Sequence, residues 1–179
     1  STPGALIDAV AFAHDTRNAV FVAPAGDGRG DVGTQAAGFY PACIRDTVCV
    51  TSTDHYDNPS AFSNRGPAVD LAAPGGGEGP NSGTNSSYSI LSLLSSQSNP
   101  NFTTAGSFQL VIGNQYLRQY GTSMSAAYVS GAAALIRSRY PSLSAEQVRQ
   151  ALRKGADDLG TPGFDVSFGY GRLNARRAL

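Results

Sequence analysis

An α/β domain built on a parallel sheet is what this sequence predicts, and three features predict it. Three short runs, at 19–23, 49–53 and 69–73, read as buried strands, the first of them apolar on both faces. They follow a helical segment and are separated by loops, in the order helix, strand, loop, strand, loop, strand. The C-terminal third then turns strongly helical. At 179 residues the chain fits one ordinary domain with a sizeable core.

Each element has its own signal. Residues 3–18 place Leu6, Ile7, Val10, Ala11 and Ala13 at helical intervals, with Asp8 and His14 between them. Residues 74–101 are rich in Gly, Ser and Asn, interrupted by the apolar-containing run 89–94. Residues 108–112 read as an additional strand before a turn at Gly113-Asn114. Residues 123–139 are apolar nearly all round, through Ala126, Ala127, Val129, Ala132 and Ile136, which predicts a buried helix that ends before Pro141. Ser144 and Gln147 stand at the two positions of a capping box. They open an amphipathic helix through Val148, Ala151 and Leu152 that stops near Gly155, and a last helix is expected at 174–179. No repeat or linker divides the chain.

Composition excludes several function classes. The formal charge is zero, with no basic stripe for nucleic acid and no polybasic tract for an anionic membrane. No apolar run approaches the roughly 20 residues of a membrane helix. Only 15% of residues are charged, while Gly, Ser, Thr and Asn are plentiful, a profile shared by many secreted enzymes with long neutral loops. The start, Ser1-Thr2-Pro3-Gly4, has no Met and no signal-like core, and reads as internal, with targeting information upstream. Cys43 and Cys49 are expected to close a small loop as a disulfide in an oxidising compartment; two small buried thiols are the alternative. The pair alone is too few ligands for zinc.

Chemistry concentrates at Gly121-Thr122-Ser123-Met124-Ser125, where a polar loop meets the buried helix. A serine there stands among free backbone N–H groups at the positive end of a helix dipole. That setting suits acyl transfer, in which a carbonyl oxygen becomes negative. On the residues alone, simple capping of the helix by Thr122 or Ser123 is the favoured reading.

Gly121-Thr122-Ser123-Met124-Ser125-Ala126, followed by 129–136, is similar to the active-serine signature of the subtilisin family. Five further blocks agree in order: 22–27, 40–42 with 48–54, 60–67, 71–75 and 168–174. The likeness covers the chain except for an insertion at about 75–119. It implies the C-terminal part of a single subtilisin-like peptidase domain, with the three-layer αβα parallel-sheet fold and the N-terminal portion absent from this chain. It implies a serine endopeptidase working through an acyl-enzyme on polypeptide substrates in an extracellular setting, with no cofactor required for chemistry and a structural calcium ion as an option. Ser123 would be the nucleophile, and its own N–H one oxyanion donor.

The sequence departs from the family pattern in two ways. Its only histidines, His14 and His55, lack the surroundings of a catalytic histidine and read as solvent-side residues. The activating Asp and His are therefore expected from an N-terminal segment, removed or carried on another polypeptide. Second, Asp27 stands where the family has an asparagine that donates to the oxyanion. A carboxylate there predicts weakened activity at neutral pH. By the same resemblance Pro24, Ala25 and Gly26 on one side, and Gly38 and Phe39 on the other, would line the substrate side-chain pocket. A non-catalytic, peptide-binding relative is the alternative function. The Arg29-Gly30-Asp31 tripeptide reads as turn chemistry, Asp27 and Asp31 lack calcium-loop spacing, and Asn85 and Asn101 head formal glycosylation sequons.

Overall fold

A computed structural model describes residues 4–30, 32, 39–77, 88–94, 110–112 and 115–179. Strands β1 (Phe21–Pro24), β2 (Thr47–Thr53) and β3 (Leu71–Pro74) form a parallel sheet in the order β1-β2-β3. The central strand β2 is buried at every position, with its hydroxyl side chains Thr47, Thr51, Ser52 and Thr53 included. Helix α1 (Gly4–Ala11) precedes the sheet and continues into a π-helical turn at Phe12–Thr16. On one face of the sheet lie α2 (Thr122–Arg139), α3 (Ala145–Gly155) and α4 (Ala175–Ala178). Val48, Val50, Leu71 and Ala73 meet Val129, Ala133, Ile136, Val148 and Leu152 there in one core. On the opposite face Ala23, Ala25, Cys49 and Val69 pack with Val32 and Ala42.

The capping box is formed as expected. Ser144 Oγ accepts from Gln147 N at 3.1 Å, and Ser144 N donates to Gln147 Oε1 at 2.7 Å. Asn174 caps α4 through a bond from Arg177 N. The outer edge of β3 is covered by isolated bridges to Gly169 and Arg172, whereas β1 lies at the other edge of the sheet. Within the insertion stands a second, antiparallel sheet, β4 (Ile90–Leu93), β5 (Leu110–Ile112) and β6 (Tyr116–Gln119), in the order β4-β6-β5. Only β5 among these is expected from the sequence, and the rest of the 108–112 run falls outside the described residues.

Three expectations are corrected. Helix α2 is buried on one face only: Tyr128 and Leu135 on its other side are 47% and 53% exposed. Cys43 and Cys49 are thiols, not a disulfide. Both are buried, with the Cys49 side chain set in the apolar pack against Ala23 and Val69. Burial pushes the Cys49 thiol up, and the charge of Asp70 adds to that, which disfavours the thiolate that disulfide formation needs. His14 is not solvent-side; its side chain is only 14% exposed. The wider π turn that carries it changes the angular spacing of residues after Ala11 and turns its ring inward.

Candidate active site

Helix α2 starts at Thr122, with Gly121 as its N-cap at φ +141°, and no side chain of that residue or its neighbours caps it locally. The cap comes from 95 residues away. Asp27, in the loop leaving β1, accepts at Oδ1 from both Thr122 N and Thr122 Oγ1, each at 2.8 Å. Thr122 Oγ1 in turn accepts from Gly26 N at 3.0 Å. An anion against the first amides of a helix is favoured by the dipole and satisfies a donor that would otherwise be orphaned. The other carboxyl oxygen of Asp27 lies close to Gly121: a Cβ placed there would stand 3.0 Å from Oδ2. Glycine fits at 121 for that reason as well as for its φ.

Ser123 follows as the second residue of α2 and is exposed, between the fully buried Thr122 and the buried Ser125. Two bonds fix this turn to the sheet. Ser125 Oγ donates to Ala73 O at 2.9 Å, and Gly121 N donates to Gly75 O at 2.9 Å. A Cβ at Gly75 would meet Ser52 Oγ at 2.2 Å and Ser125 Oγ at 2.4 Å, so no larger residue fits between β2 and the helix start. Among the described residues Ser123 Oγ has no hydrogen-bond partner, and neither imidazole is bonded to it. Nor do three or more His, Cys, Asp or Glu side chains gather anywhere among them as a metal site would require.

The loop that carries Asp27 is wound around one buried amide. Asn64, 1% exposed, accepts at Oδ1 from Gly28 N (3.1 Å) and Gly30 N (2.6 Å) and donates through Nδ2 to Ala25 O (2.8 Å). Its backbone N donates to Gly26 O at 2.8 Å. Neither Asn64 nor Thr122 is singled out as a positioning residue by the sequence. Asn64 lies in the 60–67 block, and that block was its only signal.

Of the other expected site residues, Pro24 and Gly26 are partly buried at the end of β1. The Ala25 methyl belongs to the buried cluster with Val32 and Ala42. Phe39 is 38% exposed and its ring lies over Gly30, where Cζ would stand 3.0 Å from a Cβ. Gly38 lies outside the described residues. His55 is exposed in the loop after β2, its ring stacked on Tyr88 with centroids 4.0 Å apart.

A parallel sheet thus delivers an exposed serine to the amino end of a packed helix, beside a loop bonded to that helix start. The chain belongs to the Subtilase family, whose pattern it matches over residues 1–171. It is 33% identical over 159 residues to subtilisin DY of Bacillus licheniformis, covering 89% of this chain and 46% of that protein. It is 32% identical over 149 residues to a thermostable alkaline protease of Halalkalibacterium halodurans, covering 83% of this chain and 32% of that protein. Among solved structures, a lanthipeptide protease superposes with a TM-score of 0.78 at 29% identity, over 98% of this chain and 54% of that one. A protease from Pseudoalteromonas arctica superposes with a TM-score of 0.77 at 27% identity, over 99% and 47%. The chain thus spans between about a third and a half of the length of these relatives.

Proposed function

We propose that this chain is the nucleophile-bearing part of a serine endopeptidase that hydrolyses peptide bonds through an acyl-enzyme on Ser123. The observation that carries this reading is the exposure of Ser123 at the start of α2, with the Asp27 loop held against the same helix turn. In the reaction Ser123 Oγ attacks the carbonyl carbon while a histidine takes its proton. The C–N bond then breaks, the amine leaves with that proton, and water cleaves the ester. The Ser123 N–H, free at the helix start, faces the developing oxyanion.

The histidine and the aspartate that orients it come, in this reading, from a segment N-terminal to the chain in the family order. The span of the relatives and the open side of α2 support that partner. Extracellular action follows the names of relatives such as the extracellular serine protease of Serratia marcescens. Any structural calcium would sit on carbonyl oxygens and leave the chemistry to the serine.

Asp27 favours a second reading. With Oδ1 already engaged by Thr122, a carboxylate turns an acceptor, not a donor, toward the oxyanion position. Activity at neutral pH is then weak; at the extreme the protein binds peptides without cleaving them. Native followed by denaturing mass spectrometry of the purified material tests the assignment. A second polypeptide carrying Asp and His, together with label on Ser123 after a fluorophosphonate probe, is expected. A single mass equal to this chain, with Ser123 unlabelled, sinks the enzymatic reading and leaves the binder.

A further inference from the structure

We infer that Asn64 is a positioning residue of the reaction: its buried amide sets where Asp27 stands against the start of α2, and so what the oxyanion meets there. The inference rests on the peptidase reading above and deepens it.

The loop after β1 alternates glycine with two charged side chains, Gly26-Asp27-Gly28-Arg29-Gly30. Turn chemistry accounts for part of this pattern, since Gly26 (φ +101°) and Arg29 (φ +58°) hold left-handed backbone. The three glycines also share one neighbour. A Cβ on Gly26, Gly28 or Gly30 would stand 2.6, 3.6 or 3.5 Å from an amide atom of Asn64. The loop is folded around that amide, most tightly at Gly26, where no side chain fits.

The bonds of Asn64 bracket Asp27. Ahead of it, Asn64 Nδ2 donates to Ala25 O and Asn64 N donates to Gly26 O, each at 2.8 Å. Behind it, Gly28 N and Gly30 N donate to Asn64 Oδ1 at 3.1 and 2.6 Å. With both flanks tied, the Asp27 side chain has little choice of direction, and its Oδ1 meets Thr122 N and Oγ1. Asn64 is anchored in turn: Ser63 Oγ donates to Asn64 O at 2.9 Å and accepts from Ser52 N of β2 at 3.1 Å. The same segment touches the other half of the site. Phe62, 3% exposed, accepts from Arg29 N at 3.0 Å and sets its ring 4.9 Å, centroid to centroid, from that of Tyr120, the residue before Gly121. Residues 62–64 thus hold the Asp27 loop and the approach to Ser123 in one frame. Such support matters to rate, because a misplacement of about 1 Å can cost on the order of 10²-fold.

Thr122 is the first residue of α2, so its N–H has no partner within the helix and its protection reports the Asp27 bond. Amide hydrogen exchange at Thr122, read by NMR on the complete protein, therefore follows the positioning without turnover. Asn64→Ala is expected to speed that exchange about fivefold, although the Asn64 side chain bonds the loop and not α2. Asn64→Asp keeps the size and the acceptor for Gly28 N and Gly30 N but loses the donation to Ala25 O. It should fall between the parent and Asn64→Ala, and it decides alone if Asn64→Ala does not fold.

Steady-state hydrolysis of a peptide amide supplies the catalytic arm. With Asp27 in place there is no side-chain donor to misplace, and Asn64→Ala should change kcat less than threefold. In an Asp27→Asn background, where an amide donates, the same change should lower kcat about tenfold or more with KM within about twofold. Parent-rate exchange at Thr122 in every folded Asn64 variant overturns the inference. So does an equal kcat loss in both backgrounds, which is what a merely structural residue gives. If no variant turns over peptide and Ser123 takes no fluorophosphonate label, the peptidase reading falls and takes the catalytic role of Asn64 with it, while exchange at Thr122 still decides whether Asn64 sets Asp27.

Discussion

Replacing Asp27 by asparagine in the complete peptidase should raise turnover at neutral pH while lowering stability slightly. Both effects follow from the two oxygens of one carboxyl group. Oδ1 accepts from Thr122 N and Oγ1 at 2.8 Å each, and an asparagine carbonyl oxygen in the same place accepts both bonds unchanged. The atom that changes character is the other one: Oδ2, beside Gly121, becomes an amide nitrogen that donates. One oxyanion donor is worth about 2.7–4 kcal/mol of transition-state stabilisation, or roughly 10²–10³ in kcat. The helix start, meanwhile, exchanges an anion for a neutral oxygen, which costs about 0.3–1 kcal/mol of dipole interaction. Steady-state hydrolysis of a peptide amide at pH 7, paired with thermal melts, reads both. A kcat that stays within threefold of the parent refutes the assignment of Asp27 to the oxyanion position, and a higher melting temperature refutes the dipole argument for the helix start.

Three further outcomes are expected. Asp70 is fully buried and holds Arg149, Arg153 and the Cys49 amide together between the sheet and α3. Its replacement by alanine strands two guanidinium groups, and urea unfolding should show a loss of about 3–5 kcal/mol; a loss under 1 kcal/mol contradicts that account. Cys43 and Cys49 should be titrated by a disulfide reagent only as the protein unfolds, and a fast-reacting thiol in the native state would show that burial does not govern them. The Arg172 hydrogen bond, with Asn174 next, holds the Asp157 carboxyl below its usual range. A carboxyl depressed on folding stabilises above its unfolded pKa and loses that contribution as pH falls below about 4. Asp157→Asn should therefore flatten the acid limb of the stability curve and leave its neutral plateau lower; an unchanged acid limb is the contrary result.

Much of the fold is legible in the sequence because local signals carry it. α3 announces itself through Ser144, Gln147 and the spacing of Val148 and Leu152, and its capping box forms as read. The parallel strands are visible as apolar runs, displaced by up to two residues at their ends because the ladder, not hydrophobicity, decides where pairing begins. β6 is hidden for the opposite reason: its sequence, Tyr-Leu-Arg-Gln, has little strand character, and its pairing with β4 and β5 supplies what propensity lacks. Ser123 is legible through a short motif and its block order. The Asp27–Thr122 link and the Asn64 hub are not, since each joins segments far apart in the chain. His14 turns inward because a π turn breaks the 3.6-residue spacing on which its outward placement rested.

The disagreement between pattern and burial along α2 is itself informative. A helix destined to face water on one side carries polar residues there, yet α2 presents Ala127, Tyr128, Gly131, Ala134 and Leu135 on its open side. Among the described residues β1 stands at the sheet edge next to it, with no strand paired on its outer side. Covering Tyr128 and Leu135, now about half exposed, is worth roughly 1.5–3 kcal/mol per fully buried side chain, about half of that from the present state. The proposed N-terminal segment would supply that cover, and the substitutions Tyr128→Asp and Leu135→Asp separate the possibilities. If the segment packs there, each change should weaken its retention in native mass spectrometry and lower the melting temperature of the complete protein. Neither should disturb the chain's own core, because neither side chain belongs to it. Full retention and an unchanged melting temperature in both variants would mean that this face of α2 stays open to water in the assembled protein, and that the segment carrying the activating histidine must approach Ser123 from another side.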